Sequence, residues 1–507
     1  MLALLQFDSV DLAVVERMLA VGRLPVLDEL RGRGRWHRLE SPGTVLAAAT
    51  YPTLYSGLEV GEHGVYYPFQ WSAREQRVLP ASAFEMPEAV WERLARAGRR
   101  SLVVDPYEAR RPRIPAGVVV SGWQFENRVV LGGWSDPRAA RSELIRRFGR
   151  APAVDEVFGR PSARGLVRLR ERLVAAPRRV ADAILDLLSR EQFDLVWACF
   201  PSAHLAGHQL WDLSQIPDHE RDRARAAGLE TALEEVYEAV DTAFGAIVAG
   251  LPDDADLIAF SPLGMGGNVS RIDLLPQMLD AVLGGRDRAG GAAEPAADSF
   301  LWRLRAAVPT GLRAGVARML PDEAALALTA RLATRGVEWR RTRAFVLPGD
   351  HNGHIRLNVR GREREGIVDP GERDALLEEI AAGLLSFHDE GGGPSIERVE
   401  RASELYPGPW ADLLPDLIVR WAGTPSTGLQ GVRSAAFGFV ARRGVGTGRS
   451  GNHADGAWAL VVPGTSRIRE PGRAPRVVDL AATIAAVVGG DIAGLAGEPL
   501  LEPAPTI

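Results

Sequence analysis

The sequence predicts an α/β protein: a mainly parallel central sheet covered by helices on both faces and carrying helical insertions. Three observations predict it. Short, nearly uninterrupted apolar runs recur along the 507-residue chain, as expected of strands buried on both faces. Between them lie segments with apolar residues at three-four spacing and a charged opposite side, as expected of covering helices. The two alternate, and parallel strands need that alternation because each return crosses the sheet through a helix.

In chain order, LALLQF (2–7) is the opening strand and AVVERMLAVGRLPVLDELRGRG (13–34) an amphipathic helical stretch. SLVVD (101–105) and VVVSGW (118–123) are the next strands, and the Arg-rich 125–190, which lacks strand alternation, is a helical insertion. LVWACF (195–200) is a strand, LETALEEVYEAVDTAFGAIVAGL (229–251) a surface helix and DLIAFS (256–261) a strand. A second helical insertion covers 280–340 around the Gly/Ala-rich GGRDRAGGAAEPAAD (284–298). DLIVRW (416–421) and WALVVPG (458–464) complete the strands, and residues 1–507 read as a single domain.

Composition narrows the function. Hydrophobic residues make up 46% and charged residues 25%, the values of a globular protein. A net charge of −5 argues against a nucleic-acid surface. All 60 basic residues are arginine; with the Ala and Gly excess this reads as GC-rich coding bias rather than anion binding. The single cysteine, Cys199, lies in an apolar run and rules out an internal disulfide or a Cys-rich metal site. The opening MLALLQFDSVD lacks a basic flank and is too short for a signal peptide or membrane span. These features point to a cytoplasmic protein acting on a small molecule, with no nucleic-acid or membrane partner; they leave the oligomeric state open.

In a parallel sheet, ligand groups gather beyond the carboxyl ends of strands. Asp8 follows the opening strand, His204 and His208 follow LVWACF, and His453 lies in GNHADG just before WALVV. Histidines at i and i+4 of a helix share one face and suit zinc, with a distant third histidine leaving a position open. The same spacing also suits a packed, hydrogen-bonded pair.

Four segments carry a resemblance. The opening through residue 36, LYSGLEVGEHGVYYP (54–68), RTRAFVLPGDHNGHIRLNVRGREREGIV (341–368) and SGNHADGAWALVVPG (450–464) resemble, in order, parts of the type I phosphodiesterase/nucleotide pyrophosphatase family of the alkaline phosphatase superfamily. The resemblance implies an alkaline-phosphatase-like fold and a site of two zinc-like ions, with a threonine nucleophile. Carried over by position, one ion would take His204, where the family has Asp, with His208 and His453. The other would take Asp8, the threonine, and an Asp-His pair after DLIAFS. This sequence has Pro262 and Leu263 there, which cannot bind metal. Counted back without gaps from Gly57, the nucleophile position is Ala47; a register shifted by three residues would place Thr50 of Thr50-Tyr51-Pro52 there instead. Otherwise Thr50 is a helix N-cap.

The resemblance therefore implies half a site. The favoured expectation is a metal-dependent hydrolase with one zinc-like ion on three histidines. A metal-bound water would replace the threonine, and Asp8 would serve as base, water-orienting group or remaining ligand. The alternative is an inactive relative that binds a nucleotide-like ligand or a protein. His63 in GEHGV reads as structural. His351 and His354 either reach the site or face solvent. Trp71, Trp123 and Trp211 line a cleft or belong to the core, and Asp11 is a cap or a first-turn acid of the first helix.

Overall fold

The computed structural model of the protein describes residues 1–125, 133–152, 154, 161–284 and 337–504. Eight strands form the central sheet in the order 35–38, 458–462, 256–261, 2–6, 195–199, 101–104, 117–121 and 134–136. The middle of the sheet, from 256–261 across to 117–121, is parallel. Both flanks are antiparallel: 458–462 runs against 256–261 and against 35–38, and 134–136 runs against 117–121.

Successive side chains of a strand point to opposite faces, and the opening strand obeys this. Ala3, Leu5 and Phe7 join one core cluster, beneath the helices Leu12–Ala20, Pro25–Arg33, Ala163–Leu188, Pro201–Leu210 and Ala232–Val248. Leu2 and Leu4 join the other, beneath Thr50–Ser56, Val90–Arg96 and Val478–Val488. Every residue of Leu2–Gln6 is buried, which is why the run shows no polar alternation. Truncating Leu4 or Leu5 to alanine would cost about 2–5 kcal/mol through lost burial and an unfilled cavity.

A four-stranded antiparallel sheet lies beside the first, in the order 344–347, 353–357, 417–421, 396–401. Its apolar cluster includes Leu275, Ile355, Ile380 and Val419. Its polar side is an ion-pair network. Glu363 is buried against Arg356 and Arg362, each at 2.9 Å, and accepts from Trp71 Nε1 at 2.7 Å. Asp416 meets Arg362 at 2.7 Å and Arg373 at 2.9 Å. Burial alone would raise the Asp416 pKa, but Arg362 and Arg356 outweigh it and hold the carboxyl down at about 2.

The structure departs from the sequence reading in several places. The 13–34 stretch is two helices, because Gly22 takes a left-handed φ of 72° and Pro25 starts a new helix. The run 416–421 does form a strand, Leu417–Trp421, but in the antiparallel sheet rather than the central one. Region 125–190 holds the helices Arg138–Phe148 and Ala163–Leu188, but also the edge strand Trp134–Asp136. Most of the 280–340 segment lies outside the described residues. No described helix is long and apolar enough to cross a membrane.

Candidate metal centre

The opening strand leads directly to Asp8, and the next residue, Ser9, takes a left-handed φ of 52°. That conformation is strained for a residue with a Cβ. Its neighbour strand, Leu195–Cys199, ends at Phe200, and Pro201 opens the helix Pro201–Leu210. Proline suits a first helical turn because its fixed φ is helical and no amide proton is lost from the ladder. His204 and His208 then stand one turn apart on this helix, at 2% and 1% exposure. His453 comes from the short strand Gly451–Ala454, paired antiparallel with Gly264–Gly267 so that His453 lies opposite Met265.

Two glycines bring these elements together. A Cβ on Gly451 would stand 2.1 Å from the Gly207 carbonyl oxygen, and one on Gly207 would meet Met265 Cγ at 2.6 Å. Helix and strand therefore approach to backbone contact, and the three histidines converge. Their ligand-capable atoms lie within 4.8 Å of one another.

The second nitrogen of each ring explains the orientation. His204 Nδ1 faces Asp8 Oδ2 at 3.1 Å, and His208 Nδ1 faces the Gly451 carbonyl at 3.1 Å. Both partners accept, so both Nδ1 atoms carry the proton, and in the neutral form of each ring Nε2 presents a lone pair. These lone pairs face each other at 3.0 Å. His453 bonds the Gly264 backbone, while its Nδ1 is buried with no hydrogen-bond partner. Each ring is thus anchored by one nitrogen and bare at the other, the arrangement of metal-binding histidines. Tetrahedral zinc–imidazole geometry separates ligand nitrogens by roughly 3.3 Å; the His204–His208 pair stands at 3.0 Å and the whole set spreads to no more than 4.8 Å, so the donor set suits one such ion after a small inward shift.

Electrostatics agree. Burial, followed by the Arg449 charge and the neighbouring imidazoles, pushes His208 well below its ordinary value. Burial, followed by His204, His351 and Arg449, does the same for His453. Both rings are therefore neutral at ordinary pH, as a ligand must be.

Asp8 is fully buried and engaged on both oxygens. Besides His204 on Oδ2, its Oδ1 accepts from Gln6 Nε2 at 3.0 Å and from Tyr51 OH at 3.0 Å. The Tyr51 hydroxyl also lies 3.3 Å from both Ser9 Oγ and His204 Nδ1. Burial, with the Asp8 charge next, pushes the Tyr51 phenol well above its ordinary value, so it stays a donor. Tyr107 packs between them, 4.5 Å from the Tyr51 ring and 4.7 Å from His204.

The residues expected around a second ion sit elsewhere in chemical character. Leu263 and Ala47 are buried together in an apolar cluster with Tyr51 and Phe260. The Pro262 carbonyl accepts from Ser41 Oγ at 2.7 Å. Thr50 begins the helix Thr50–Ser56, but the N-cap is Ala49 and no side chain caps it. Thr50 Oγ1 is buried without a partner beside Gly43, and the hydroxyl that reaches Asp8 belongs to Tyr51.

The remaining candidates separate cleanly. His63 accepts from Val65 N at 3.0 Å and meets Thr53 Oγ1 at 2.9 Å, and burial lowers it to about 3. His354 bonds the Pro348 carbonyl and burial lowers it to about 4. His351 is buried close enough for its charge to act on His453. Trp71 bonds Glu363, and Trp123 bonds the Arg179 carbonyl with that guanidinium over its ring. Trp211 lies against Gly451 and bonds Asp11 Oδ2 at 2.9 Å, while Asp11 Oδ1 caps the first helix. Tyr51, Ser9 and Gln6 were not found from the sequence. The only signal was Tyr51's place between Thr50 and Pro52.

The family model for type I phosphodiesterase / nucleotide pyrophosphatase matches residues 2–424, a span that includes His204 and His208 but not His453. No curated protein sequence matches the chain. Among solved structures, it is similar to an inactive form of murine ectonucleotide pyrophosphatase / phosphodiesterase 5 in complex with AMP, at 11% identity and a TM-score of 0.49 over 98% of this chain and 97% of that one. It is also similar to phosphonoacetate hydrolase from Sinorhizobium meliloti in complex with phosphonoacetate, at 12% identity and a TM-score of 0.49 over 96% and 95%.

Proposed function

The chain belongs to the type I phosphodiesterase / nucleotide pyrophosphatase family, and from that premise we propose that it is a metal-dependent hydrolase working with one zinc-like ion. His204, His208 and His453 would hold the ion. The observation that carries this reading is the set of three rings, each anchored by one nitrogen and bare at the other. When bound, the ion supplies a Lewis acid that polarises a substrate oxygen or lowers the pKa of a water.

The chain's own residues do the rest. Asp8 keeps the proton on His204 Nδ1 and so keeps Nε2 bare; the Gly451 carbonyl does the same for His208. Leu263, Pro262 and Ala47 offer nothing to a second cation. A phosphate dianion would thus meet about half the positive charge of a two-ion site, so a carboxylic ester, amide or carbamate suits this centre as well as a phosphodiester. Thr50 supplies a nucleophile only if the shifted register is the working one. A cytoplasmic location is consistent with the buried single thiol of Cys199.

A second reading has its own support. The three histidines are 2%, 1% and 6% exposed, which suits an inactive relative that binds a nucleotide-like ligand or a protein. Elemental analysis with turnover assays on ester and phosphodiester substrates separates the two. One equivalent of zinc, lost together with turnover in His208→Ala, supports the hydrolase. A protein with no bound metal and no turnover supports the inactive relative, and two equivalents would overturn the single-ion assignment.

A further inference from the structure

The Tyr51 hydroxyl donates to Asp8 Oδ1 at 3.0 Å. We propose that Tyr51 is a positioning residue: by donating to Asp8 Oδ1 it takes over the contact a second ion would make, and it commits Asp8 to His204. The inference rests on the single-ion reading above and deepens it.

Four observations carry it. The donor is close, with Tyr51 OH 3.0 Å from Asp8 Oδ1. The oxygen is then fully used, because Gln6 Nε2 donates to it as well at 3.0 Å. Gln6 is itself fixed, since its Oε1 accepts from Trp197 Nε1 at 2.9 Å. The other oxygen, Oδ2, faces His204 Nδ1 at 3.1 Å. A carboxylate has about four acceptor positions, so three donors in a buried site leave little to offer a metal.

The surroundings hold this arrangement in place. Ser9 accepts a strained left-handed backbone immediately after Asp8, and that conformation puts Ser9 Oγ 3.3 Å from Tyr51 OH and 3.4 Å from His204 Nδ1. Strain of this kind persists only where the surroundings enforce it. Elsewhere Tyr51 packs in the apolar cluster that holds Ala47 and Leu263. Removing a hydrogen-bonding partner behind a metal-bound histidine commonly weakens the metal by tenfold to a hundredfold. Tyr51 should act at that scale although it touches no ligand-side nitrogen.

The test is zinc affinity by competition with a chromophoric chelator, measured on the wild-type chain and on Tyr51→Phe. The expected result is unchanged stoichiometry of one, with affinity lowered by roughly ten- to a hundredfold. Nitrogen-15 NMR of the metal-free wild type gives an independent readout: His204 should be protonated on Nδ1. Ser9→Gly, which keeps the left-handed backbone available, should lower affinity less than Tyr51→Phe. Equal affinity of Tyr51→Phe and wild type overturns the proposal, as does an Nε2-protonated His204, which needs no variant to detect. A wild-type protein that binds no zinc overturns the single-ion reading instead, so the two failures are distinct.

Discussion

His204 Nε2 and His208 Nε2 face each other at 3.0 Å, each on a ring whose Nδ1 proton is already given to an acceptor. With both rings neutral, two lone pairs at that distance repel unless a proton or a metal cation lies between them. Zinc should therefore stabilise the fold. At a thousandfold excess over its dissociation constant, an ion that binds only the folded chain contributes about 4 kcal/mol. The expected outcome is a rise of several degrees in melting temperature on adding zinc, absent in His208→Ala and reversed by chelator in the wild type.

Gly451→Ala should remove the metal without touching a ligand. The new methyl would press on the Gly207 carbonyl and on Trp211, forcing helix and strand apart. Overpacking of this kind costs about 1–3 kcal/mol. Zinc content should fall well below one equivalent while circular dichroism still reports a folded chain. Full zinc content in the variant would show that the close approach does not set the site.

Thr50→Ala should change turnover of an aryl phosphodiester by less than about threefold, because Thr50 Oγ1 has no bond to Asp8 or to a histidine. A nucleophile would show a loss of a thousandfold or more, about 4 kcal/mol. Trapping a phosphothreonine by mass spectrometry would make the same point.

Acid should destabilise the protein through its buried neutral histidines. His63 and His354 titrate at about 3 and about 4 in the folded chain, because burial penalises the charged ring. Unfolded, they titrate near 6.5. Between those values the unfolded state binds more protons, so stability is complete above about pH 6.5 and is lost as pH falls toward the folded pKa values. Each ring contributes a slope of about 1.4 kcal/mol per pH unit. Urea midpoints measured from pH 7 to pH 4 should fall, and His354→Asn should flatten the dependence by one proton.

Restoring the family's second set of ligands, with Ala47→Thr, Pro262→Asp and Leu263→His together, should leave zinc at one equivalent. Asp8 Oδ1 is still occupied by Tyr51 and Gln6, and the Pro262 loop is tied down through Ser41. Adding Tyr51→Phe to the triple variant frees one acceptor position and should bring partial binding of a second ion. Elemental analysis reads both.

What the sequence could reveal follows from the range of the forces involved. LALLQF and LVWACF are legible because burial on both faces writes itself into consecutive residues. The same apolar run cannot say which sheet a strand joins, so Leu417–Trp421 looked no different from Leu195–Cys199, although it pairs with 353–357 and 396–401. The His204–His208 spacing is local and was readable; its relation to His453 came from the family resemblance. Tyr51 was hidden because its bond to Asp8 spans 43 positions and depends on the rotation of a short helix about its axis. Thr50, one residue earlier, is the residue that the Thr-x-Pro pattern points to, and nothing local distinguishes its neighbour.

The strand Trp458–Val462 lies between 256–261 and 35–38, with a consequence for how the chain is made. At about 5–20 residues per second, the ribosome needs on the order of 20–80 s to go from residue 38 to residue 458. During that interval Arg35–Arg38 has no sheet partner, and once residue 261 has been made the edge of 256–261 stays open as well, a surface on which other chains can pair. Newly made molecules should therefore aggregate late in synthesis rather than early, and slower translation would lengthen the exposure. A chaperone that shields a strand edge would do most for this protein after residue 261 has emerged.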